Sequence, residues 1–497
     1  MPILNLFTSP VMEFAIALDP QSNVPLHRQV YEVFRQLILA GKLLPKQRLP
    51  STRALAKSLA ISRATAVQSY EQLISEGYLQ TISGGGTYVC DFLPEDLLHS
   101  KPIEQANISE VTDSLKLSTY GNSLITNAPL YSPRLSLPIE FRYGQPALDA
   151  FPLNLWRQLI SRHCRQSDRL MLDYATDSLG YQPLRAAIAR YLIQSRAVQC
   201  NANQIIIVGG SQQALDLVSR VAIDRGDGIA VEDPGYLGAR HVFLSQAAKL
   251  YPIPVDSLGM QIEQLYQLSN IKLVYITPSH QFPTGALLSL ARRLELLAWA
   301  KQTGGLIIED DYDSEFRYEG RPVPALQGLD RTGTVIYIGT FSKVLFPSLR
   351  IAYLVVPPKL VNVFARAKWL VDRQSPLLEQ YVLADFINEG HLERHIRRMK
   401  ALYDRRRQAL VAALVNHFGD RMAIFGENAG MHLMVRLSTN LSDRTIIERA
   451  RAVGVGLVSA RQYYLKNVTN CEFVLGYADL DEAEIATGVQ KLATAIN

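Results

Sequence analysis

Residues 47–89 read QRLPSTRALAKSLAISRATAVQSYEQLISEGYLQTISGGGTYV. Ser51 stands where a helix N-cap belongs, and a short helix runs on through Leu55, Ala56 and Leu59. After a break at Ile61, Ser62 repeats the device ahead of a longer helix. There Val67, Tyr70, Leu73 and Ile74 recur at helical spacing as one apolar face, which leaves Arg63, Ala64, Gln68 and Gln72 outward. GYLQTISGGGTYV then reads as two short strands around a glycine turn. Upstream, PLHRQVYEVFRQLILAG (25–41) carries Val30, Phe34, Leu37 and Ile38 at helical spacing and stops at glycine. A helix, a helix–turn–helix and a two-stranded wing outline a winged helix over residues 22–92.

Charge supports a polyanionic partner for this domain. Residues 22–92 hold eight Lys or Arg against four Asp or Glu, although the whole chain carries only +5. No acidic residue lies between Glu32 and Glu71, where Arg35, Lys42, Lys46, Arg48, Arg53, Lys57 and Arg63 all fall. A field of one sign attracts nucleic acid. The second helix of a helix–turn–helix enters the major groove by its N-terminal part, which places Ser62, Arg63 and Thr65 there. Arg53 begins the preceding helix, near the phosphate backbone, and Gly84, Gly85 and Gly86 let a wing tip come close to DNA. The stretch resembles the GntR-type winged helix across essentially all of 22–92. The resemblance implies contacts to a double-stranded operator by Arg53, Ser62, Arg63, Thr65 and wing glycines such as Gly85. It also implies a homodimer on a repeated half-site.

The 497-residue chain as a whole is globular in composition, with 48% hydrophobic and 20% charged residues. No run of 18 apolar residues offers a membrane span, and MPILNLFTSPVMEFAIAL lacks the basic start of a signal peptide. Cys90, Cys164, Cys200 and Cys471 are far apart without metal-type spacing, which fits a cytoplasmic protein with no metal site. Residues 93–138, punctuated by Pro94, Pro102, Pro129, Pro133 and Pro138, read as a linker that, if flexible, spans roughly 35–40 Å. From 139 to 497 the pattern turns α/β. IIIVGG (205–210), GIAVED (228–233), KLVYITP (272–278), GLIIEDD (305–311), VIYIGT (335–340) and RIAYLVV (350–356) are nearly continuous apolar runs with amphipathic helices between them. Strands of a mostly parallel sheet, buried on both faces, have this look.

Several pieces of this second domain make joint chemical sense. GTFSKVLFPSLR (339–350) offers Lys343 on a loop after a strand, where an amine near a cofactor aldehyde forms a Schiff base. Asp310 ends the strand GLIIED, and a buried carboxylate needs a partner such as a pyridinium N–H; the adjacent Asp311 competes for that role. GGSQQALDL (209–217) places Gly209, Gly210 and Ser211 at a helix entry suited to phosphate. Thr340, Ser342 and Arg350 complete a cup, Tyr236 in EDPGY can stack on a ring, and Tyr312 can donate its hydroxyl to a phenolate oxygen.

GSQQALDL, EDPGY, PTG, EDDY and SKVLFPSLR occur in the order found in the type I fold of the pyridoxal 5'-phosphate aminotransferases, and residues 139–497 resemble that fold. The likeness implies Lys343 as the aldimine lysine, Asp310 at the pyridine nitrogen, Tyr312 at the phenolic oxygen and Tyr236 on the ring. It implies Ser211, Gln212, Thr340, Ser342 and Arg350 at the phosphate. A GntR-type head on an aminotransferase-like body resembles the MocR family of transcriptional regulators, in which a homodimer senses pyridoxal phosphate or an amino acid. Two departures set this chain apart. Phe282 in SHQFPTG stands where aminotransferases carry a cofactor-facing Asn, with His280 and Gln281 as alternatives for that role. Val474 in CEFVLGYADL stands where they present an arginine to the substrate carboxylate, with Arg142 and Arg240 as possible substitutes. The expectation is a regulator whose aminotransferase-like domain serves effector sensing, in vitamin B6 or amino-acid metabolism. The alternative is a working aminotransferase with a DNA-binding head.

Overall fold

The computed structural model describes residues 3–5, 16–94, 116–127, 137–165, 173–174, 177–320 and 323–496. Packing divides the chain into two units, Met1–Lys116 and Leu117–Asn497.

In the first unit α1 (Leu26–Leu39), α2 (Thr52–Ser58) and α3 (Arg63–Ser75) precede an antiparallel pair, Leu79–Ile82 with Gly86–Val89. Both serine caps form: Ser51 Oγ accepts from the Ala54 amide at 3.2 Å, and Ser62 Oγ from the Thr65 amide at 3.0 Å. Val30, Phe34, Leu55, Tyr70, Leu73 and Val89 share one core, in which the Phe34 and Tyr70 rings meet edge to face at 5.7 Å. The buried face of α3 differs from the expected one. It is Ala66, Ser69, Tyr70 and Leu73, while Val67 is half-buried and Ile74 is exposed. Ser69 can lie inside because its single hydroxyl hydrogen has two carbonyls within reach, His27 at 2.8 Å and Thr65 at 2.9 Å.

The second unit begins inside the stretch read as linker. A helix at Thr119–Asn127 packs on the helix Leu237–Ser245, and residues 95–115 and 128–136 of that stretch lie outside the described residues. The central sheet has eight strands in the order Ile205–Val208, Ala352–Val355, Val335–Thr340, Leu306–Asp311, Ile271–Ile276, Gly228–Asp233, Lys249–Asp256 and Gly259–Met260. Val335–Thr340 through Lys249–Asp256 run parallel, and Ala352–Val355 is antiparallel to both its neighbours. All six apolar runs became strands. Lys249–Asp256 was not anticipated, because only one of its eight residues is fully buried and no continuous apolar run marks it. A second, antiparallel sheet (Met422–Phe425, His432–Leu437, Glu472–Gly476 and Val458–Ser459) shares a core with the helices His391–Phe418 and Glu482–Ile496. In the central sheet the parallel strands deliver Asp233, Ile276, Asp311 and Thr340 to one carboxyl edge, where open α/β sheets place their ligands. No helix of the described residues is long and apolar enough to cross a membrane.

Candidate cofactor cavity and DNA-contacting surface

At that carboxyl edge lies a cavity of about 360 Å³, lined by all nine residues expected at a cofactor: Lys343, Ser211, Gln212, Tyr236, Asp310, Tyr312, Thr340, Ser342 and Arg350. The strand Val335–Thr340 ends in the turn that carries Lys343, whose Nζ donates to the Gly144 carbonyl at 2.7 Å. Burial holds the Lys343 ammonium below the ordinary lysine range, against the opposing pull of Asp313 and Asp310. A less basic amine is more readily neutral and nucleophilic.

The alternation of a strand separates the two competing aspartates. Asp310 faces the cavity, while Asp311 points the other way, accepting from Arg196 Nε at 2.8 Å and the Tyr337 hydroxyl at 2.6 Å. Asp310 Oδ2 accepts from the Tyr275 hydroxyl at 2.8 Å, yet its Oδ1 is buried without a hydrogen-bond partner. Burial pushes the carboxyl up to about 7, although the Tyr275 bond works against it. A buried oxygen without a partner, on a carboxyl that lines the cavity, fits a missing N–H donor.

The anion end is built by glycine. Gly210, at φ +120°, precedes the helix Ser211–Ala222, and a Cβ on it would lie 2.5 Å from Arg350 Nη2. The missing side chain leaves room for the guanidinium beside a helix N-terminus, whose free amides favour a phosphate. Gln212 also donates Nε2 to the Gly238 carbonyl at 3.0 Å, tying this turn to the one after Tyr236.

Sequence reasoning missed Asp313, Tyr275, Tyr143, Met431 and His432, which also line the cavity. His280 Nδ1 lies 3.0 Å from both oxygens of Asp313 and 3.1 Å from the Tyr312 hydroxyl. A carboxylate has no hydrogen to give, so Nδ1 carries the proton and the Tyr312 oxygen accepts a share of it. The Tyr312 hydrogen is then free to donate into the cavity. His280, Asp313 and His432 bring possible metal-ligating atoms within 4.8 Å of one another, where no metal was expected. Within the group His280 Nδ1 engages Asp313, His432 Nε2 faces the Pro283 carbonyl at 3.1 Å, and His280 Nε2 is buried without a hydrogen-bond partner.

In the first unit Arg53 and Arg63 are exposed and make no hydrogen bond or ion pair among the described residues. Of the other basic residues, Arg35 approaches Glu32 at 3.9 Å and Lys46 pairs with Asp91 at 2.7 Å. Ser62 and Thr65 are engaged with each other, their hydroxyls 2.8 Å apart. The wing turn closes by the Gly85 amide on the Ile82 carbonyl at 2.9 Å, with Gly84 and Gly86 at positive φ.

Residues 26–89 match the bacterial regulatory proteins of the gntR family, and residues 142–492 match aminotransferase class I and II. The probable rhizopine catabolism regulatory protein MocR of Rhizobium meliloti is 40% identical over 97% of this chain and 95% of its own length. The chain belongs to the MocR family of regulators. Another full-length relative is the HTH-type pyridoxine biosynthesis transcriptional regulator PdxR of Corynebacterium glutamicum, 29% identical over 98% of this chain and 99% of that one. Among solved structures, the kynurenine aminotransferase of Pyrococcus horikoshii in complex with PMP, KYN and KYA superposes with a TM-score of 0.68 at 30% identity, covering 78% of this chain and 96% of that one.

The two departures of this MocR-family chain acquire a geometry. Phe282 lines the cavity at the position where an Asn was expected. Gln281 does not replace it: its amide donates to the Pro234 carbonyl at 2.8 Å and accepts from the Thr284 amide at 3.1 Å, which secures the turn. His280 does not line the cavity itself and reaches it through Tyr312 and Asp313. Val474 is fully buried between Met434 and Val458 of the second sheet. Neither Arg142, which pairs with Glu140, nor Arg240, which donates to the Gln462 carbonyl at 3.2 Å, lines the cavity.

Proposed function

We propose that this chain is a cytoplasmic, homodimeric transcriptional regulator that binds operator DNA through α3 and the wing and holds pyridoxal 5'-phosphate at Lys343 for effector sensing. The observation that carries the cofactor reading is the orphaned Oδ1 of Asp310, a residue that lines the same cavity as Lys343 and Arg350. Asp310 would accept the pyridine N–H. Lys343 would hold the carbonyl carbon covalently. Ser211, Gln212, Thr340, Ser342 and Arg350 would hold the phosphate, Tyr236 would cover the ring, and Tyr312 would donate to the phenolic oxygen. Bound there, the group supplies an electrophilic carbon that reacts with primary amines and an electron-withdrawing ring. At the other end of the chain, Arg63 would reach a base edge or phosphate and Arg53 a phosphate, while Ser62 and Thr65 hold the start of α3 in place. A ligand that favours one conformation of the body shifts the population of DNA-competent dimers.

The test is a gel shift on DNA upstream of the chain's own gene, with cofactor-free protein, loaded protein and the Lys343→Ala variant. Operator affinity is expected to change on loading of the wild type. Lys343→Ala is expected to lose the visible absorbance of lysine-linked cofactor and keep a folded DNA-binding unit. Absorbance retained in the variant would refute Lys343 as the attachment point, and an affinity indifferent to loading would refute sensing.

A further inference from the structure

The cavity has a second half, and its chemistry narrows the effector, given the cofactor reading above. The described lining residues include two cations, Lys343 and Arg350, and two aspartates, Asp310 and Asp313. Arg350 lies beside Gly210 at the anion end, and Lys343 would be taken by the cofactor. No other Lys or Arg remains among the described lining residues for an α-carboxylate.

The described lining is otherwise rich in aromatic residues, among them Tyr143, Phe282, Tyr275 and His432. Phe282 is the hub, with ring centroids 4.9 Å from Tyr143, 4.9 Å from Tyr463, 5.4 Å from His432, 6.0 Å from Tyr236 and 6.2 Å from Tyr312. Burial pulls His432 down to about 3, so its imidazole is neutral and supplies no positive charge. A carboxylate entering this half would lose its water and gain no cationic partner among the described lining residues beyond Lys343 and Arg350. An ammonium would meet the Asp313 carboxylate and the negative faces of the rings.

We propose that the effector of this chain is a primary amine without a carboxylate, its nitrogen drawn toward Asp313 and its body packed against the Tyr143 and Phe282 rings. The three positions weighed from the sequence for a carboxylate clamp do not supply one: Val474 is buried in the second sheet, and Arg142 and Arg240 are not among the described lining residues.

The test compares amine and amino acid with the same side chain on full-length, pyridoxal-phosphate-loaded protein. The pairs are phenethylamine with phenylalanine, tyramine with tyrosine, and isoamylamine with leucine. Calorimetric titration gives the affinities, and operator binding is measured alongside. Each amine is expected to bind at least about tenfold more tightly than its amino acid and to shift operator affinity at lower concentration. Equal or tighter binding of the amino acids overturns the inference and leaves the cofactor reading standing. A preparation that never acquires lysine-linked absorbance overturns the cofactor reading itself, and this inference with it. Asp313→Asn, in protein that still loads, is expected to weaken the amines about tenfold and to narrow the gap within each pair; an unchanged gap overturns the role of Asp313.

Discussion

Asp310 shows how one atom can report a missing partner. Its carboxyl, raised to about 7 mainly by burial, stays protonated in the cofactor-free folded state over a range where the unfolded chain has released the proton. A raised carboxyl favours the folded state at low pH, and that contribution is lost as pH climbs from about 4 to about 7. At about 1.4 kcal/mol per unit, the loss is on the order of 4 kcal/mol. Glu232, Glu309 and Glu315 shift the same way, so the informative quantity is a difference. The thermal midpoint of cofactor-free wild type relative to Asp310→Asn is expected to fall as pH rises through that window, and a flat difference would show that Asp310 ionises normally. Loading is expected to reverse the trend by supplying the N–H that Oδ1 lacks. Residue chemistry alone left Asp310 and Asp311 open, and only the family resemblance chose Asp310, because strand alternation says that they face opposite ways but not which way the cavity lies. The His280–Asp313–Tyr312 contact was not legible at all: it joins two turns 33 residues apart through the fold of the sheet, with no local spacing to announce it.

At the scale of elements, α3 separates two roles that the sequence ran together. Ser62 and Thr65 were read as DNA contacts, yet their hydroxyls bond each other and the cap amide, so they also hold the first turn. Arg63 has no such duty among the described residues. Ser62→Ala is therefore expected to cost about 1 kcal/mol of stability together with a loss of operator affinity. Arg63→Ala is expected to weaken the operator complex by about 1–3 kcal/mol with an unchanged melting profile. Measured together by denaturation and gel shift, a stability loss in Arg63→Ala, or none in Ser62→Ala, would reverse this division. The helices were legible because serine caps and glycine stops bracket them, and the central strands because burial on both faces leaves unbroken apolar runs. The face of α3 was misread at Ile74 because a hydrophobicity count passes over Ser69, a polar residue made compatible with the core by two carbonyls within reach of its hydroxyl.

At the scale of the whole molecule, the units Met1–Lys116 and Leu117–Asn497 each hold their own cores, and regulation requires a free-energy coupling between them. Coupling of this kind is commonly about 1–3 kcal/mol, or roughly 5–150-fold in affinity. Linkage makes it reciprocal. If pyridoxal phosphate changes operator affinity by some factor, operator DNA must change the apparent affinity for pyridoxal phosphate by the same factor. The check is a pair of titrations at one salt concentration, because the contacts offered by Arg53 and Arg63 weaken steeply with ionic strength. One follows operator binding with and without cofactor; the other follows growth of the lysine-linked absorbance with and without saturating operator. Equal factors above one are expected, and the same pair repeated with a carboxylate-free amine should move both together. A factor of one in both titrations would make the cofactor a structural element of the body, with no voice in DNA binding.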